Sequence, residues 1–338
     1  MMYYAGLDIH KAFTVGVIKT KEGELVHKDK FENTQEEIDE FFKDFPADQT
    51  EVVMESTCVW EHIYNKISSR GYKVKLANPV KTRAIASARI KTDSIDANTL
   101  ADLLRANLVA ESYIPSEDIR RLRDTVRQRK AIVKGNTQIK NKIHAILIKK
   151  GIKIPYSKLC PKAITWLKKE IKVNLEYVNI NDILISYFNL LDQFESELRF
   201  IDERIKKTAS ESKQANLLMT IPGIAEIRSL EIISEIADIT RFNSAKHLCS
   251  YAGLIPGLRQ SGNSLKFGRL VKQSSKNLKC ALVESSWAAT KCKEANSLKL
   301  HYLRLIKKKG KQKAICATAR KMICVIYAML KKNEEFKA

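Results

Sequence analysis

The 338-residue chain has no apolar run approaching the roughly 20 residues that a membrane-spanning helix needs. It has no Cys-x-x-Cys pair either. Its seven cysteines (Cys58, Cys160, Cys249, Cys280, Cys292, Cys316 and Cys324) stand singly, which argues against a zinc site. An odd number of thiols suits a reducing cytoplasm. The first residues reach Asp8 with no basic-then-apolar leader, so the expectation is a chain without a signal peptide. Acid is also scarce: 38 Asp and Glu stand against 60 Lys and Arg, a formal net charge of +22. What is present, 44% apolar and 29% charged residues, is the composition of a packed globular protein. The length suits two or three domains.

The charge is unevenly placed. Residues 1–112 hold 15 basic and 18 acidic side chains, residues 113–215 hold 22 and 12, and residues 216–338 hold 23 and 8. The first third is mildly acidic and the whole excess lies behind it. Charge held for solubility is the bland reading, but the excess is larger than solubility requires. A polyanion is the better partner, with nucleic acid the default because neutralised phosphates release counterions.

Residues 3–9, 13–18 and 25–31 read as strands, with Glu22-Gly23 as a turn. A helix capped near Asn33-Thr34, a short strand at 51–55, a helix over 59–70 and a strand over 72–77 follow. Three antiparallel strands and then alternating helix and strand is the order of a ribonuclease H-like α/β domain. Residues 116–150 read as one long helix with an apolar stripe and a basic face that includes Arg120, Arg121, Arg127 and Lys134. Between 184 and 208, Leu184, Tyr187, Leu191, Phe194, Leu198, Ile201, Ile205 and Thr208 alternate spacings of three and four. That is a heptad seam, so a self-associating coiled coil is expected, the alternative being a helix packed on its own chain. The remainder reads as mostly helical, and Ile221-Pro222-Gly223-Ile224 suggests a helix-hairpin-helix, which would present backbone N–H groups to a phosphate. The tail carries a basic run, Lys307 to Lys313, that reads as a solvated face. The expected domains are 1–112, 113–215 and 216–338.

Four acids stand out. Asp8 and Glu55 end strands, and Asp93 and Asp96 lie three apart at a helix start, where they share a face. Carboxylates so placed can form an oxygen cage for Mg²⁺ or Mn²⁺ and support phosphoryl transfer. Each has a plain alternative: Asp93 and Asp96 as helix-capping acids, Asp8 in an Asx turn, Glu55 as a surface acid. Taken together, in the one acidic region of a basic chain, they favour a metal site. Farther on, Ser261 lies in what reads as a loop among Arg259, Lys266, Arg269 and Lys272, a basic setting that could hold a scissile phosphate. A Ser-Gly pair is more often an ordinary turn, and Ser264, Ser274 and Ser275 are rivals.

These residues fall in recognisable blocks. Gly6-Leu-Asp8-Ile-His10-Lys11, Met54-Glu55-Ser56-Thr57, Asn78-Pro79 and Lys91-Thr92-Asp93-Ser94-Ile95-Asp96-Ala97 occupy the first half. Ile221-Pro222-Gly223-Ile224, Arg241-Phe242, Tyr251-Ala252-Gly253-Leu254, Pro256, Ser261-Gly262 and Gly268-Arg269 occupy the second. In order and spacing they resemble the DEDD transposases of the IS-one-ten insertion-sequence group, over nearly the whole chain. The resemblance implies a RuvC-like N-terminal domain with Asp8, Glu55, Asp93 and Asp96 as metal ligands. It implies a C-terminal transposase domain with Ser261 as nucleophile, and a site completed between subunits of a dimer or tetramer. It further implies DNA strand exchange through a serine–phosphate linkage and guidance by a structured non-coding bridge RNA that pairs with donor and target DNA. The chain departs from the group's pattern at Cys58, where Gly is usual, and at Ser274 and Lys279, where Gly and Arg are usual. Two other readings stay open: a RuvC-like structure-selective nuclease that uses water, and a non-catalytic scaffold for RNA or DNA.

Overall fold

The computed structural model describes residues 1–86, 92–173, 180–262 and 264–337. Lys91 and Asn263, the first within a motif quoted above and the second beside Ser261-Gly262, lie outside the described residues. The chain divides into two compact units, Met1–Ile114 and Pro115–Ala338.

The first unit runs β1 (Tyr3–Ile9), β2 (Phe13–Thr20), β3 (Leu25–Glu32), α1 (Gln35–Phe41), β4 (Thr50–Glu55), α2 (Trp60–Ser68), β5 (Lys73–Ala77), α3 (Pro79–Ile85) and α4 (Asp93–Arg105). Its five strands lie in the order β3-β2-β1-β4-β5. The first three are antiparallel, and β1, β4 and β5 are parallel. This mixed sheet with helices is compatible with a ribonuclease H-like domain.

Side chains alternate across the sheet. Ala5, Leu7 and Ile9 of β1 join Val52 and Met54 of β4 in a core shared with Ile38, Phe41, Ile63 and Ile67 of α1 and α2. Tyr4, Gly6 and Asp8 therefore face the other way, toward α4, where Ala97, Leu100, Ala101 and Leu104 are buried against Val15, Val17 and Val53. Gly6 is required there: a Cβ at that position would lie 2.2 Å from the Ala97 carbonyl oxygen and 2.5 Å from the Ala101 nitrogen. With no Cβ in the way, α4 rests directly on the β1 backbone. The buried ammonium of Lys19 on β2 donates to Asp102 of α4 at 2.7 Å and fixes the helix from its middle.

The second unit holds α5 (Glu117–Lys149), α6 (Pro161–Val173), α7 (Asn181–Glu211), α8 (Lys213–Met219), α9 (Glu226–Ile236), α10 (Ala245–Tyr251), β6 (Pro256–Ser261), β7 (Ser264–Leu270), α11 (Lys276–Lys291) and α12 (Ser297–Lys332). The heptad seam of α7 is consumed inside the chain. Leu184, Phe188 and Leu191 are buried with Ile143 and Leu147 near the end of α5 and Leu167 of α6. Ile201 and Ile205 are buried with Val126 near the start of α5, and Asp202 pairs with Arg129 at 2.5 Å. Late α7 meets early α5, so the two long helices pack antiparallel. These seam residues pack on their own chain.

α8 and α9 flank the Pro222-Gly223 turn, with Ile221 and Ile224 buried in the core of the second unit. Ser261, expected in a loop, ends the first strand of a two-stranded hairpin. Its turn contains Gly262 at φ +53°, a left-handed value suited to tight hairpins.

Candidate functional site

In the first unit, the pairing of β1 with β4 aligns Leu7 with Met54. Asp8 and Glu55 are the next residues of the two strands, and alternation turns both away from the core that holds Leu7 and Met54. α4 begins at Asp93, its first turn capped by the Thr92 hydroxyl, which accepts from the Ile95 N–H. Because α4 rests on Gly6, its N-terminal acids arrive beside Asp8. Asp8 and Asp93 come within reach of one ring nitrogen: His10 Nε2 lies 3.2 Å from Asp8 Oδ2 and 3.3 Å from Asp93 Oδ2. Ligand atoms of Asp8, His10 and Asp93 all lie within 4.8 Å of one another.

Burial pushes the Asp8 carboxyl above its ordinary value; His10 pulls it back, and the charges of Asp93 and Asp96 push it farther up. Asp96 is thus close enough for its charge to act on Asp8. Carboxylates crowded so that ionisation is penalised are the setting in which a divalent cation is bound. The carboxylate oxygens fit Mg²⁺ or Mn²⁺. His10 was not singled out from the sequence, although its i+2 spacing from Asp8 at a strand end is a signal that both face one side.

The second unit presents Ser261 at the tip of the β6–β7 hairpin, cross-paired with Ser264. Two rungs down, Arg259 pairs with Lys266, and alternation puts both on the face of Ser261 and Ser264. The other face carries Leu258 paired with Phe267, which are 57% and 69% exposed. Arg259, Lys266, Arg269 and Lys272 are all exposed and make no ion pair among the described residues. Two of the rival serines are engaged in the scaffold. Ser275 caps α11, accepting from the Leu278 N–H, and donates to Glu235. Ser274 is packed against Gly253, its hydroxyl buried. Lys279 donates to the Val271 carbonyl at 3.2 Å and so braces the strand end. Ser264 remains beside Ser261 on the exposed hairpin.

Below the hairpin lies a second buried carboxylate, Glu235 at the end of α9. It accepts from Arg127 at 2.9 Å, from Ser275 at 2.9 Å and from Asn277 at 3.3 Å. Burial alone would raise its pKa, but the bonds and charges of Arg127, Ser275 and Arg123 outweigh that and hold it below the usual carboxylate range. The basic face of α5 is therefore partly committed inward. Arg127 is tied to Glu235, Arg123 donates to the Ser234 carbonyl at 2.6 Å, and Arg120 donates to the Pro115 carbonyl at 3.0 Å. Arg121 pairs with Glu117 on the exposed side of its own helix, a weak bond that a phosphate could displace. Lys134 is exposed.

An α/β unit with clustered strand-end and helix-start acids, followed by a helical unit with a basic, serine-tipped arm, describes a phosphoryl-transfer enzyme acting on nucleic acid. Comparison with known proteins specifies the class. The DEDD transposase model of the IS110 group matches residues 5–150, and the model described as transposase IS116/IS110/IS902 family matches residues 215–302. Both halves of the chain thus match transposases of the IS110 group. It is similar to a transposase for insertion sequence element IS1111A of Coxiella burnetii, 24% identical over 85% of this chain and 79% of the relative. It is also similar to a pilin gene-inverting protein of Moraxella bovis, 27% identical over 84% of this chain and 81% of the relative. A putative transposase y4qE of Sinorhizobium fredii is 25% identical over 67% of this chain, which spans 55% of that relative's length. Among the described residues, no helix is long and apolar enough to cross a membrane.

Proposed function

We propose that this chain cuts and rejoins DNA strands through a covalent link to Ser261, with Asp8, Glu55, Asp93 and Asp96 holding Mg²⁺ or Mn²⁺ in a RuvC-like unit. The observation that carries the reading is the hairpin tip. Ser261 is exposed on a face it shares with Arg259 and Lys266, so a phosphate bound by the two cations would lie against its hydroxyl. In the reaction, Ser261 Oγ attacks the phosphorus. An Oγ–P bond forms, one deoxyribose oxygen–phosphorus bond breaks, the serine proton is given up and the leaving oxygen takes one. Reversal with a different strand end restores the serine and joins the new strand. Arg259 and Lys266 orient the phosphate and offset its added charge. Bound at the acids, the cation supplies Lewis-acid stabilisation of the reacting oxygens.

The two sites can be contributed by one chain or by two, and we favour a homo-oligomer, dimer or tetramer. Guidance by a non-coding RNA belongs to the same reading: the second unit's basic excess exceeds what one hairpin needs, and an RNA held by its backbone would supply the sequence choice. The action would take place in the cytoplasm, at the DNA. The α8–α9 hairpin and Lys134 are further candidates for backbone contact.

Ser261→Ala is the test. It is expected to retain DNA and RNA binding and to lose both the covalent protein–DNA adduct and recombination. Strand cutting by that variant without an adduct would favour a nuclease that uses water, and unchanged recombination would remove Ser261 from the reaction. Sequencing the RNA that co-purifies separates one discrete guide from random fragments.

A further inference from the structure

We propose that His10 is a nitrogen ligand of the cation and that it biases the site toward Mn²⁺ over Mg²⁺; this rests on the reading of Asp8 and Asp93 as cation-holding residues. The geometry points to it in three ways. First, one nitrogen, Nε2, lies nearly equidistant from two carboxylate oxygens on different elements, at 3.2 and 3.3 Å. A single N–H cannot direct a linear hydrogen bond at both. A lone pair on that nitrogen, with the two carboxylates, can converge on one ion. Second, the spacing suits such an ion, because adjacent donors about 2.1 Å from an octahedral centre are about 3 Å apart.

Third, the ring is held in place by contacts outside the acid cluster. The backbone N–H of His10 donates to the Phe13 carbonyl at 2.9 Å and its backbone carbonyl accepts from Asn33 Nδ2 at 2.8 Å, which fixes the main chain that carries the ring. The imidazole stacks on Phe13 with centroids 4.6 Å apart, and the Lys30 ammonium sits 3.9 Å from the Phe13 ring centre. An imidazole fixed this way enters a metal's coordination sphere with little entropy left to lose. Mg²⁺ prefers oxygen throughout, whereas imidazole is a favourable donor to transition metals, so the nitrogen shifts the balance toward Mn²⁺.

The test is spectroscopic and uses the full chain. Mn²⁺ is added to the wild type, His10→Asn, His10→Gln and Asp8→Asn, and the electron spin-echo modulation is recorded alongside calorimetric titrations with Mn²⁺ and Mg²⁺. The wild type should show a ¹⁴N coupling that both His10 variants lack. Removing a directly bound nitrogen should weaken Mn²⁺ binding by at least about tenfold, the loss found even for outer partners of a metal site. Mg²⁺ binding should weaken by less than about threefold. If Mn²⁺ binding depends on Asp8 but shows no nitrogen coupling, or is as tight in the His10 variants, His10 is not a ligand. If Asp8→Asn binds Mn²⁺ as tightly as the wild type, the acid site itself is wrong and this inference falls with it.

Discussion

The acid cluster and the serine hairpin are built on opposite terms. Asp8 sits on a central strand whose other face is the hydrophobic core, and Asp93 arrives on a helix laid against Gly6 and tied by Lys19. Every group there is held by the packing of its own unit. The hairpin has no such cover: all described residues from Leu258 through Leu270 are exposed, and Phe267 is among the most exposed large apolar side chains. A lone two-stranded hairpin is marginal in water. This one is anchored at its foot, where Val271 donates to the Ile255 carbonyl and Ser275 to that of Tyr251. A cation site must be in place before substrate arrives, because its repelling charges tolerate no slack. A nucleophile that is to be traded between strands is better carried on an arm.

That contrast can be tested by substitution. Gly6→Val should have the largest effect, costing about 3 kcal/mol in chemical unfolding, since the new side chain would meet helix backbone that cannot swing away. Mn²⁺ binding should weaken with it. If the loss is small, α4 is not held as described and the preorganisation argument weakens.

Glu235→Ala, at the hairpin's foot, should cost about 2 kcal/mol, because it leaves Arg127 and Ser275 without their shared acceptor. The pH dependence has a definite sign. The folded-state pKa of Glu235 is depressed, so its contribution is complete above the ordinary glutamate value and fades as pH falls through the folded one. Glu235→Gln should thus be less stable than the wild type at neutral pH, with the gap closing below about pH 4. A gap that persists in acid would mean the residue acts through shape and not charge.

Phe267→Ser should change stability by no more than about 0.5 kcal/mol. A loss of several times that would mean the hairpin's apolar face is covered. Smallest of all, Ser261→Ala should leave the unfolding curve unchanged while removing the adduct. Any measurable destabilisation would mean the hydroxyl has a structural partner.

Much of the first unit was legible because its signals are local. Strand alternation, the Thr34 cap and the Gly6-Leu-Asp8 block are all properties of neighbouring residues. The hairpin was legible too, but passed over: Leu258, Gln260, Leu265 and Phe267 alternate with Arg259 and Lys266 around Gly262-Asn263, a strong hairpin turn. The α7 seam shows the opposite limit. A heptad records that a helix buries one stripe, not whose surface covers it, and here α5 and α6 do so. Likewise the basic face of α5 carried no sign that Arg123 and Arg127 would be drawn to Glu235, more than a hundred residues away.

From the chain of residues alone came the candidates for the chemistry, four acids and a serine, together with where the positive charge accumulates and the resemblance to the family. These follow from residue type, spacing and order. The folded arrangement settled what depends on distant segments meeting: that Asp8 and Asp93 share His10, and that Arg127 of the basic face is spent on a buried carboxylate. Contacts of that kind are fixed by how helices and strands close over one another, and no local pattern encodes the closing.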